Sequence, residues 1–282
     1  MKKITSEPIT LLDALKQMYP DTSISKLRNF LKNKFVSIDG TIAIKANILL
    51  SENQEILVSK KSFTDKIPYG VKILYNDPHL LIISKPEVLL SLPLDKGLAP
   101  NALKILQTHF HTKSIFAVHR IDKETSGIMV FAKTLKTKEL LNKMFKKHDL
   151  KRQYLAIVQG YVKENKGIWK SNLLERNEFE VVESNDSGVG KEAITYFEVI
   201  KRTKMFSFLK LTLHTGKKHQ IRVHCANFGH PIAGDKRYGN IECDPISRIC
   251  LHAKILEFVH PITKEKISYS APVPRHFAKL GI

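Results

Sequence analysis

The sequence predicts an α+β fold, in which a large mixed or antiparallel sheet is flanked by helices and follows a small α/β domain. The first observation is size: 282 residues with 43% hydrophobic residues can bury a substantial core in one or two domains. The second is that strand-like and helix-like patterns interleave irregularly, which is typical of α+β proteins. The third is a polar stretch at residues 60–65, which separates a short N-terminal part from the rest.

The N-terminal part begins with two helical patterns. Residues 9–19 carry apolar residues at helical spacing, and the pattern breaks at Pro20. Ser23 is placed to cap a second helix. We expect that helix to bury one apolar side, formed by Ile24, Leu27 and Leu31. Its opposite side is left toward solvent with the polar residues Lys26, Arg28, Asn29 and Lys32.

Strand patterns complete this part of the chain. Residues 35–38 predict a strand that ends in an Asp39–Gly40 turn. The β pattern then continues at Ile42, Ile44, Ile48 and residues 56–58. The two short helices, the basic second helix and the VSIDG turn resemble the small S-four-type RNA-binding domain, named for a ribosomal protein. This resemblance implies an RNA-binding domain at residues 1–62, and a basic helix face suits phosphate contact. An unrelated helix-and-strand cap is the alternative.

Residues 70–282 form the larger predicted domain. Strand patterns occur at residues 71–74, 80–84, 128–132, 154–158, 193–200 and 206–213. Helical patterns occur at residues 102–110, 137–147 and 221–228. The helix at 137–147 has one apolar face, and the last helix is expected to stop at Gly229 and Pro231.

The charge of the chain limits its partners. Lysine and arginine number 46 against 27 aspartate and glutamate residues, a net charge of +19. Two clusters stand out: residues 133–152 and residues 201–222, the second of which contains no acidic residue. Such clusters are typical of proteins that bind a polyanion, either nucleic acid or a membrane face. Because they flank the candidate catalytic motifs, we favour nucleic acid over a merely solvated lysine-rich surface.

The cysteines and the apolar segments indicate the compartment. Cys225, Cys243 and Cys250 are too few and too irregularly spaced for a disulfide framework or a zinc site, which favours a reducing compartment. No apolar run approaches the roughly 20 residues that a membrane helix needs. The start of the sequence has no apolar signal core. We therefore expect a soluble, cytoplasmic protein without a membrane partner.

Two polar motifs are candidates for chemistry. Residues 119–127 (HRIDKETSG) place charged residues, hydroxyls and a glycine between two apolar strands, where functional loops commonly lie. A surface turn with a local Arg–Asp pair is the alternative. Residues 213–239 contain His214, His219 and His224. A spacing of five residues places the three histidines on one face of neither a helix nor a strand. We therefore predict no metal site there.

These motifs resemble those of RluA-type pseudouridine synthases. The resemblance covers HRIDKETSGIMVFAK at 119–133, KRQYLAIVQG at 151–160, LHTGKKHQIRVHCANFGHPIAGDKRYG at 213–239 and the tail at 251–274, in the family's order. The sequence departs from the family pattern in two places. KPEVLLSLP at residues 85–93 lacks the family's usual glycine and histidine, which leaves the geometry of that loop open. Lys217 replaces the commoner arginine.

The resemblance implies a pseudouridine synthase fold and the isomerisation of uridine within RNA, without a cofactor or metal. It makes Asp122 the catalytic carboxylate, acting either as a nucleophile on the sugar or as a proton acceptor. Arg222 would be the buried partner of Asp122, with phosphate contact as the alternative. Arg120 would occupy the space left by the flipped nucleotide. Tyr154 would stack on the target base, and an ordinary strand aromatic is the alternative.

The sequence leaves open which RNA is the substrate, and it leaves two other activities to consider. An S-four-type domain on this kind of enzyme favours large-subunit ribosomal RNA over transfer RNA as the substrate. We expect the protein to be a monomer. A catalytically inactive RNA-binding factor on the same scaffold is a second possibility. A metal-dependent nuclease is disfavoured, because Asp122, Glu124 and the distant Asp235 are the only carboxylates in the two motifs.

Overall fold

The computed structural model describes two compact units within this chain. The first comprises Met1–Gly70 and Leu103–Ile115, and the second comprises Val71–Ala102 and Phe116–Ile282. The described residues are 1–60, 62, 67–94, 99–177, 180–184, 186, 188–239, 246–278 and 280. Cys243 and part of the polar stretch at residues 60–65 lie outside them.

The first unit is a small α/β structure. Its elements are β1 (Lys2–Ile4), β2 (Ile9–Thr10), α1 (Leu11–Met18), α2 (Ile24–Lys32), β3 (Val36–Ile38), β4 (Thr41–Ile42), β5 (Leu49–Leu50) and β6 (Glu55–Val58), with α3 (Ala102–His109) following later in the chain. One sheet has the strand order β1-β6-β3-β4, and β2 pairs separately with β5. Aliphatic side chains from both helices and from the strands form one core.

Three predictions for the first unit are confirmed: the cap of α2, the turn after β3 and the exposed side of α2. Ser23 caps α2, because its hydroxyl accepts from the Lys26 amide at 3.3 Å. Asp39 and Gly40 both have positive φ, at 49° and 80°, as expected for the predicted hairpin turn. The polar side of α2 is exposed as predicted: Lys26, Arg28, Asn29 and Lys32.

Two expectations for this unit are wrong. Ile24 is 49% exposed, whereas Leu27 and Leu31 are buried. Ile24 is the first residue of α2, and its side chain points toward the helix N-terminus, beyond the core that the later turns reach. Ile44 is 60% exposed and lies outside any strand, as does Ile48. Apolar spacing in this short segment therefore reflects loop residues rather than a continuous strand.

The second unit is built on one large sheet. Its strands are β7 (Lys72–Asn76), β8 (Leu80–Lys85), β9 (Phe116–Ala117), β10 (Ser126–Ala132), β11 (Lys151–Gln159), β12 (Lys166–Glu175), β13 (Val181–Glu183), β14 (Lys191–Arg202), β15 (Phe206–Leu213), β16 (Leu251–Val259) and β17 (Lys266–Ser270). Its helices are α4 (Leu135–Lys147), α5 (Gln220–Asn227) and α6 (Arg275–Ala278).

The strand pairing confirms the predicted fold class. The main order is β13-β12-β14-β15-β11-β16-β10-β8-β7, with β17 beside β16 and β9 beside β10. β10 and β16 pair in parallel, whereas the other pairs in this sheet are antiparallel, so the sheet is mixed. Among the helices of the described residues, none has the length and apolar character needed to span a membrane.

The central strand β10 positions the first candidate motif. Every residue of β10 is buried, so the loop that precedes it leaves the sheet from a rigid element. Gly127 pairs with Ala253 of β16 and has a φ of 119°. A Cβ atom at Gly127 would lie 2.1 Å from the Ala253 carbonyl oxygen, so only glycine permits this approach. The glycine of the motif therefore serves strand packing beside the site.

Candidate active site

The second unit contains a cavity of about 450 Å³ that is walled by both polar motifs. Residues 118–122 and 125 form one wall, and residues 216, 217 and 219–222 form another. The rest of the lining comes from the end of α4 with His148, from the first half of β11, and from Leu213 of β15 and Leu251 of β16. All four site residues predicted from the sequence line this cavity: Arg120, Asp122, Tyr154 and Arg222.

The backbone on either side of Asp122 is held by two buried side chains. The Ser91 hydroxyl donates to the Ile121 carbonyl at 2.6 Å and accepts from the Ile121 amide at 3.2 Å. The Lys85 ammonium donates to the Lys123 carbonyl at 3.2 Å. Burial lowers the pKa of Lys85 to about 7, against the opposing charges of Asp122 and Glu87. These anchors fix the loop while the Asp122 side chain stays 21% exposed and open to a substrate.

Both anchors come from KPEVLLSLP, the segment whose loop geometry the sequence left open. Val88 occupies the position at which the family that this sequence resembles usually has glycine. Its φ is 67°. This left-handed conformation is natural for glycine and unfavourable for a β-branched residue. The Val88 side chain is 60% exposed and gains little from packing. The loop therefore keeps a glycine-like backbone despite the substitution.

We expect Val88→Gly to stabilise the protein by about 1 kcal/mol, because glycine removes the strain of positive φ and little packing is lost. Urea unfolding would measure the change. Val273→Gly is the matched control, since Val273 is also exposed but has an ordinary φ, and we expect it to destabilise. A Val88→Gly variant that is less stable than the wild-type protein would contradict the strain argument.

Arg222 lies at the centre of three carboxylates. It projects from α5, and its side chain is only 4% exposed. Its Nε and Nη2 atoms each donate to Asp235 at 2.7 Å. Its Nη1 lies 3.7 Å from Asp122 Oδ2, and its Nη2 lies 3.4 Å from Glu124 Oε2. Arg222 and Asp122 are thus neighbours as the sequence predicted, but the paired hydrogen bonds go to Asp235, which sequence reasoning missed.

Mutual attraction keeps the Arg222–Asp235 pair ionised. Burial alone would lower the pKa of Arg222, but the hydrogen bonds and charge of Asp235, with Asp122 and Glu124, raise it above its ordinary value. Burial likewise opposes the ionisation of Asp235, yet Arg222 and the amides of Arg237 and Tyr238 lower the pKa of its carboxyl group. Arg222 is therefore a fixed positive charge beneath Asp122.

His219 and Tyr238 form a second contact around Arg222. The Arg222 guanidinium lies 5.1 Å from the centre of the Tyr238 ring. The Tyr238 hydroxyl accepts from the Val181 amide at 3.1 Å and bonds to His219 Nδ1 at 2.8 Å. Burial lowers the pKa of His219, with Asp122 opposing and Arg222 reinforcing the shift. His219 therefore faces the cavity as a neutral imidazole at neutral pH.

Tyr154 is brought to Asp122 by the register of β11. An irregularity in the pairing with β16 falls between Gln153 and Tyr154, at the point where the strand passes the cavity. Burial raises the pKa of Tyr154 to about 12, with Arg152 opposing and Asp122 reinforcing the shift. Tyr154 is therefore a protonated phenol at neutral pH, with a ring available for stacking.

His119 and Arg120, the first two residues of the motif, differ in their surroundings. His119 Nε2 accepts from the Val130 amide of β10 at 3.0 Å, and its ring stacks on Phe145 with centres 4.8 Å apart. Burial lowers the pKa of His119 to about 3, so the imidazole is neutral. This anchoring leaves the next residue, Arg120, exposed at the cavity. The arrangement joins an accessible carboxylate, a fixed cation and an aromatic ring in one open pocket.

Comparison with known proteins shows what this chain is similar to. The family described as RNA pseudouridylate synthase matches residues 79–227, more than half of the chain. Ribosomal large subunit pseudouridine synthase D of Pasteurella multocida is 31% identical over 288 residues, which cover 95% of this chain and 88% of that protein. The protein of the same name from Xanthomonas campestris pv. campestris is 32% identical over 286 residues, covering 94% and 86%.

A solved structure shares the fold. The structure of human RNA Pseudouridylate Synthase Domain Containing 4 matches with a TM-score of 0.62 at 24% sequence identity. The match covers 73% of this chain and 90% of the human chain.

Proposed function

Since this chain belongs to the RNA pseudouridylate synthase family, we propose that it isomerises uridines of large-subunit ribosomal RNA to pseudouridine. The names of the two bacterial relatives support this substrate, because the chain aligns with most of the length of each. The net charge of +19 also suits a large RNA. The same proposal includes the cytoplasmic location and the monomeric state expected from the sequence.

One observation carries the catalytic part of this proposal: the partly exposed Asp122 carboxylate lies 3.7 Å from Arg222 in the cavity that Tyr154 also lines. In the reaction, the bond from N1 of uracil to C1′ of ribose breaks and a bond from C5 to C1′ forms. The C5 proton is released and N1 gains a proton. Asp122 supplies the negatively charged oxygen beside the ribose, and Arg222 holds that charge in place.

Tyr154 and Arg120 take the substrate-binding roles in this proposal. A uridine must leave its stack to reach Asp122, which costs a few kcal/mol of unstacking. The Tyr154 ring offers a stacking surface inside the cavity, and the exposed Arg120 guanidinium is able to occupy the vacated position. The inactive RNA-binding factor is disfavoured, because Asp122, Tyr154 and Arg222 are all present and share one pocket.

Release of tritium from RNA labelled at C5 of uracil tests the activity, because isomerisation removes the hydrogen at that atom. We expect the full chain to release tritium from large-subunit ribosomal RNA of cells that lack the gene. Release from transfer RNA alone would leave the activity standing and change the substrate. No release from either RNA would favour the inactive binding factor.

For the first unit, we propose the RNA-binding role implied by its resemblance to the S-four-type domain. Its support is that Lys26, Arg28 and Lys32 of α2 are all exposed, so this helix presents three cations to solvent. Exposed cations on a helix suit the phosphates of structured RNA.

We expect replacement of Lys26, Arg28 and Lys32 by glutamine to weaken binding to large-subunit ribosomal RNA. It should also flatten the slope of log affinity against log salt by about 2–3, because three phosphate contacts no longer release counterions. Filter binding at several salt concentrations would measure both. A control replaces three exposed cations elsewhere: Lys163, Lys266 and Arg275. Equal slopes for the two triple variants would contradict a specific role for α2.

A further inference from the structure

Arg152 is a cation in the cavity wall that no carboxylate of the described residues balances. Within the described part of the chain, no carboxylate oxygen lies within 4 Å of its guanidinium. Its Nη2 donates to the His214 carbonyl at 3.2 Å. Its Nε is shielded from solvent and has no hydrogen-bond partner among the described residues. Arg222, in the same pocket, is surrounded by three carboxylates, so the two arginines have different environments.

The pocket is shaped to hold the Arg152 guanidinium. Arg152 and Tyr154 are two residues apart on β11, so both side chains lie on the face that lines the cavity. A Cβ atom at Gly216 would lie 2.4 Å from Arg152 Nη1. Gly216 does not have a positive φ, so its backbone conformation is open to other residues. The glycine therefore leaves room for the guanidinium at this place, and a side chain there would displace the flexible end of Arg152.

The surroundings of Arg152 are also cationic. Lys146 and Lys217 line the same cavity, and the rings of His148 and His214 lie 5.1 Å apart at its rim. Burial lowers the pKa of His148, and the charges of His214, Arg152 and Lys217 lower it further.

Two carboxylates near this rim do not neutralise it. Asp149 raises the pKa of His148, but its effect is smaller than those of burial and of the neighbouring cations. Asp149 also does not line the cavity. Glu192 lies 2.6 Å from Lys170, which engages its charge elsewhere. A shielded cation without a counter-ion is costly to the free protein, so this group of cations is suited to an anionic ligand.

We propose that Arg152, assisted by Lys146 and Lys217, binds a phosphodiester of the RNA backbone next to the target uridine. This inference rests on the proposed function, in which the cavity receives a nucleotide. The planar guanidinium is able to donate paired hydrogen bonds to two phosphate oxygens, including one from the unpartnered Nε. Asp122 and Arg152 line one cavity, so a nucleotide held at its phosphate by Arg152 presents its ribose to Asp122. Arg152 is thus a substrate-positioning residue.

Arg152→Met tests this role, because methionine keeps an unbranched apolar stem and removes the charge. We expect affinity for large-subunit ribosomal RNA to fall about tenfold, the loss of one charge-assisted hydrogen-bonded contact. The salt slope should fall by about 0.7–0.9, as expected for one phosphate. The single-turnover rate at saturating enzyme should fall less than the affinity does, because a phosphate contact away from the reacting atoms acts mainly on binding.

Two further variants keep the test decisive. Arg152→Lys retains the charge, so it should retain the wild-type salt slope and recover part of the affinity. Arg275→Met removes an exposed arginine that does not line the cavity, and should change neither the affinity nor the slope. The unfolding temperature of Arg152→Met should equal or exceed that of the wild-type protein, because an unbalanced cation is removed.

An unchanged salt slope in Arg152→Met would overturn the phosphate site. A lost rate with unchanged affinity would also overturn it and would move Arg152 to the chemistry of Asp122 or Tyr154. These binding measurements need no turnover. Failure of the proposed function is instead seen as absent tritium release by the wild-type chain, so the two failures are distinguishable.

Discussion

We expect Asp122→Asn to lower the single-turnover rate of uridine isomerisation by at least about a thousandfold, while RNA affinity stays close to that of the wild-type protein. Asparagine has nearly the same volume but no charge. Loss of an essential carboxylate removes more than about 4 kcal/mol of transition-state stabilisation, which corresponds to this factor. Tritium release from RNA labelled at C5 of uracil, measured with enzyme in excess, gives the rate.

The variant should remain folded for a reason visible in the site. Arg222 keeps both of its 2.7 Å hydrogen bonds to Asp235 when Asp122 loses its charge, so no buried cation is left unpaired. Asp149→Asn is the matched control, because Asp149 is exposed and does not line the cavity. A rate for Asp122→Asn within about tenfold of wild type, a difference of only about 1.4 kcal/mol, would remove Asp122 from the catalytic role.

The second large effect is expected for Asp235→Asn, which should destabilise the protein by about 3–5 kcal/mol, because it leaves a buried cation without its main partner. The Asp235 side chain is fully buried, and that of Arg222 is 4% exposed. The remaining carboxylates, Asp122 and Glu124, lie 3.7 and 3.4 Å from the guanidinium. Urea unfolding measures the loss of stability, and unchanged stability would contradict the importance of the pair.

Arg222→Lys examines the same pair from the other side. Lysine keeps the charge but cannot form both hydrogen bonds of the planar fork. We expect a smaller loss of stability than in Asp235→Asn, a turnover at least about tenfold lower, and nearly unchanged RNA affinity. If the rate were normal and RNA binding weakened, Arg222 would instead be a phosphate contact, the alternative that the sequence left open.

Several parts of the fold were predictable because they depend on neighbouring residues. The alternating pattern of residues 206–213 corresponds to β15 (Phe206–Leu213) along its whole length. Ser23 caps α2 through a hydrogen bond to a residue three positions away. The same kind of reasoning wrongly predicted that Ile24 is buried. Helical spacing identifies the apolar face of a helix but does not say how far along the helix the core extends.

The partner of Arg222 was harder to predict. Asp235 is followed by Lys236 and Arg237, so locally it looks like part of a charged surface turn. The available signal was its place in the second motif, at the GDKRYG run, together with Tyr238. Only the packing of α5 against the segment after it brings the Asp235 carboxylate to the guanidinium. A pairing between charged residues depends on this geometry and not on their spacing along the chain.

By itself, the sequence determined the family resemblance, the α+β class, the main helices and strands, and the four residues that line one cavity. Those properties follow from motifs and from periodic burial, which are written in adjacent residues. The tertiary structure alone decided that Asp235 holds Arg222, that Lys85 and Ser91 anchor the loop of Asp122, and that Arg152 lies in a space left by Gly216. The contacts of Lys85, Ser91 and Gly216 join segments distant in the chain, and their atoms meet only after the sheet has set the register of its strands. Arg222 and Asp235 are only 13 residues apart, but they meet only when α5 packs against the segment after it.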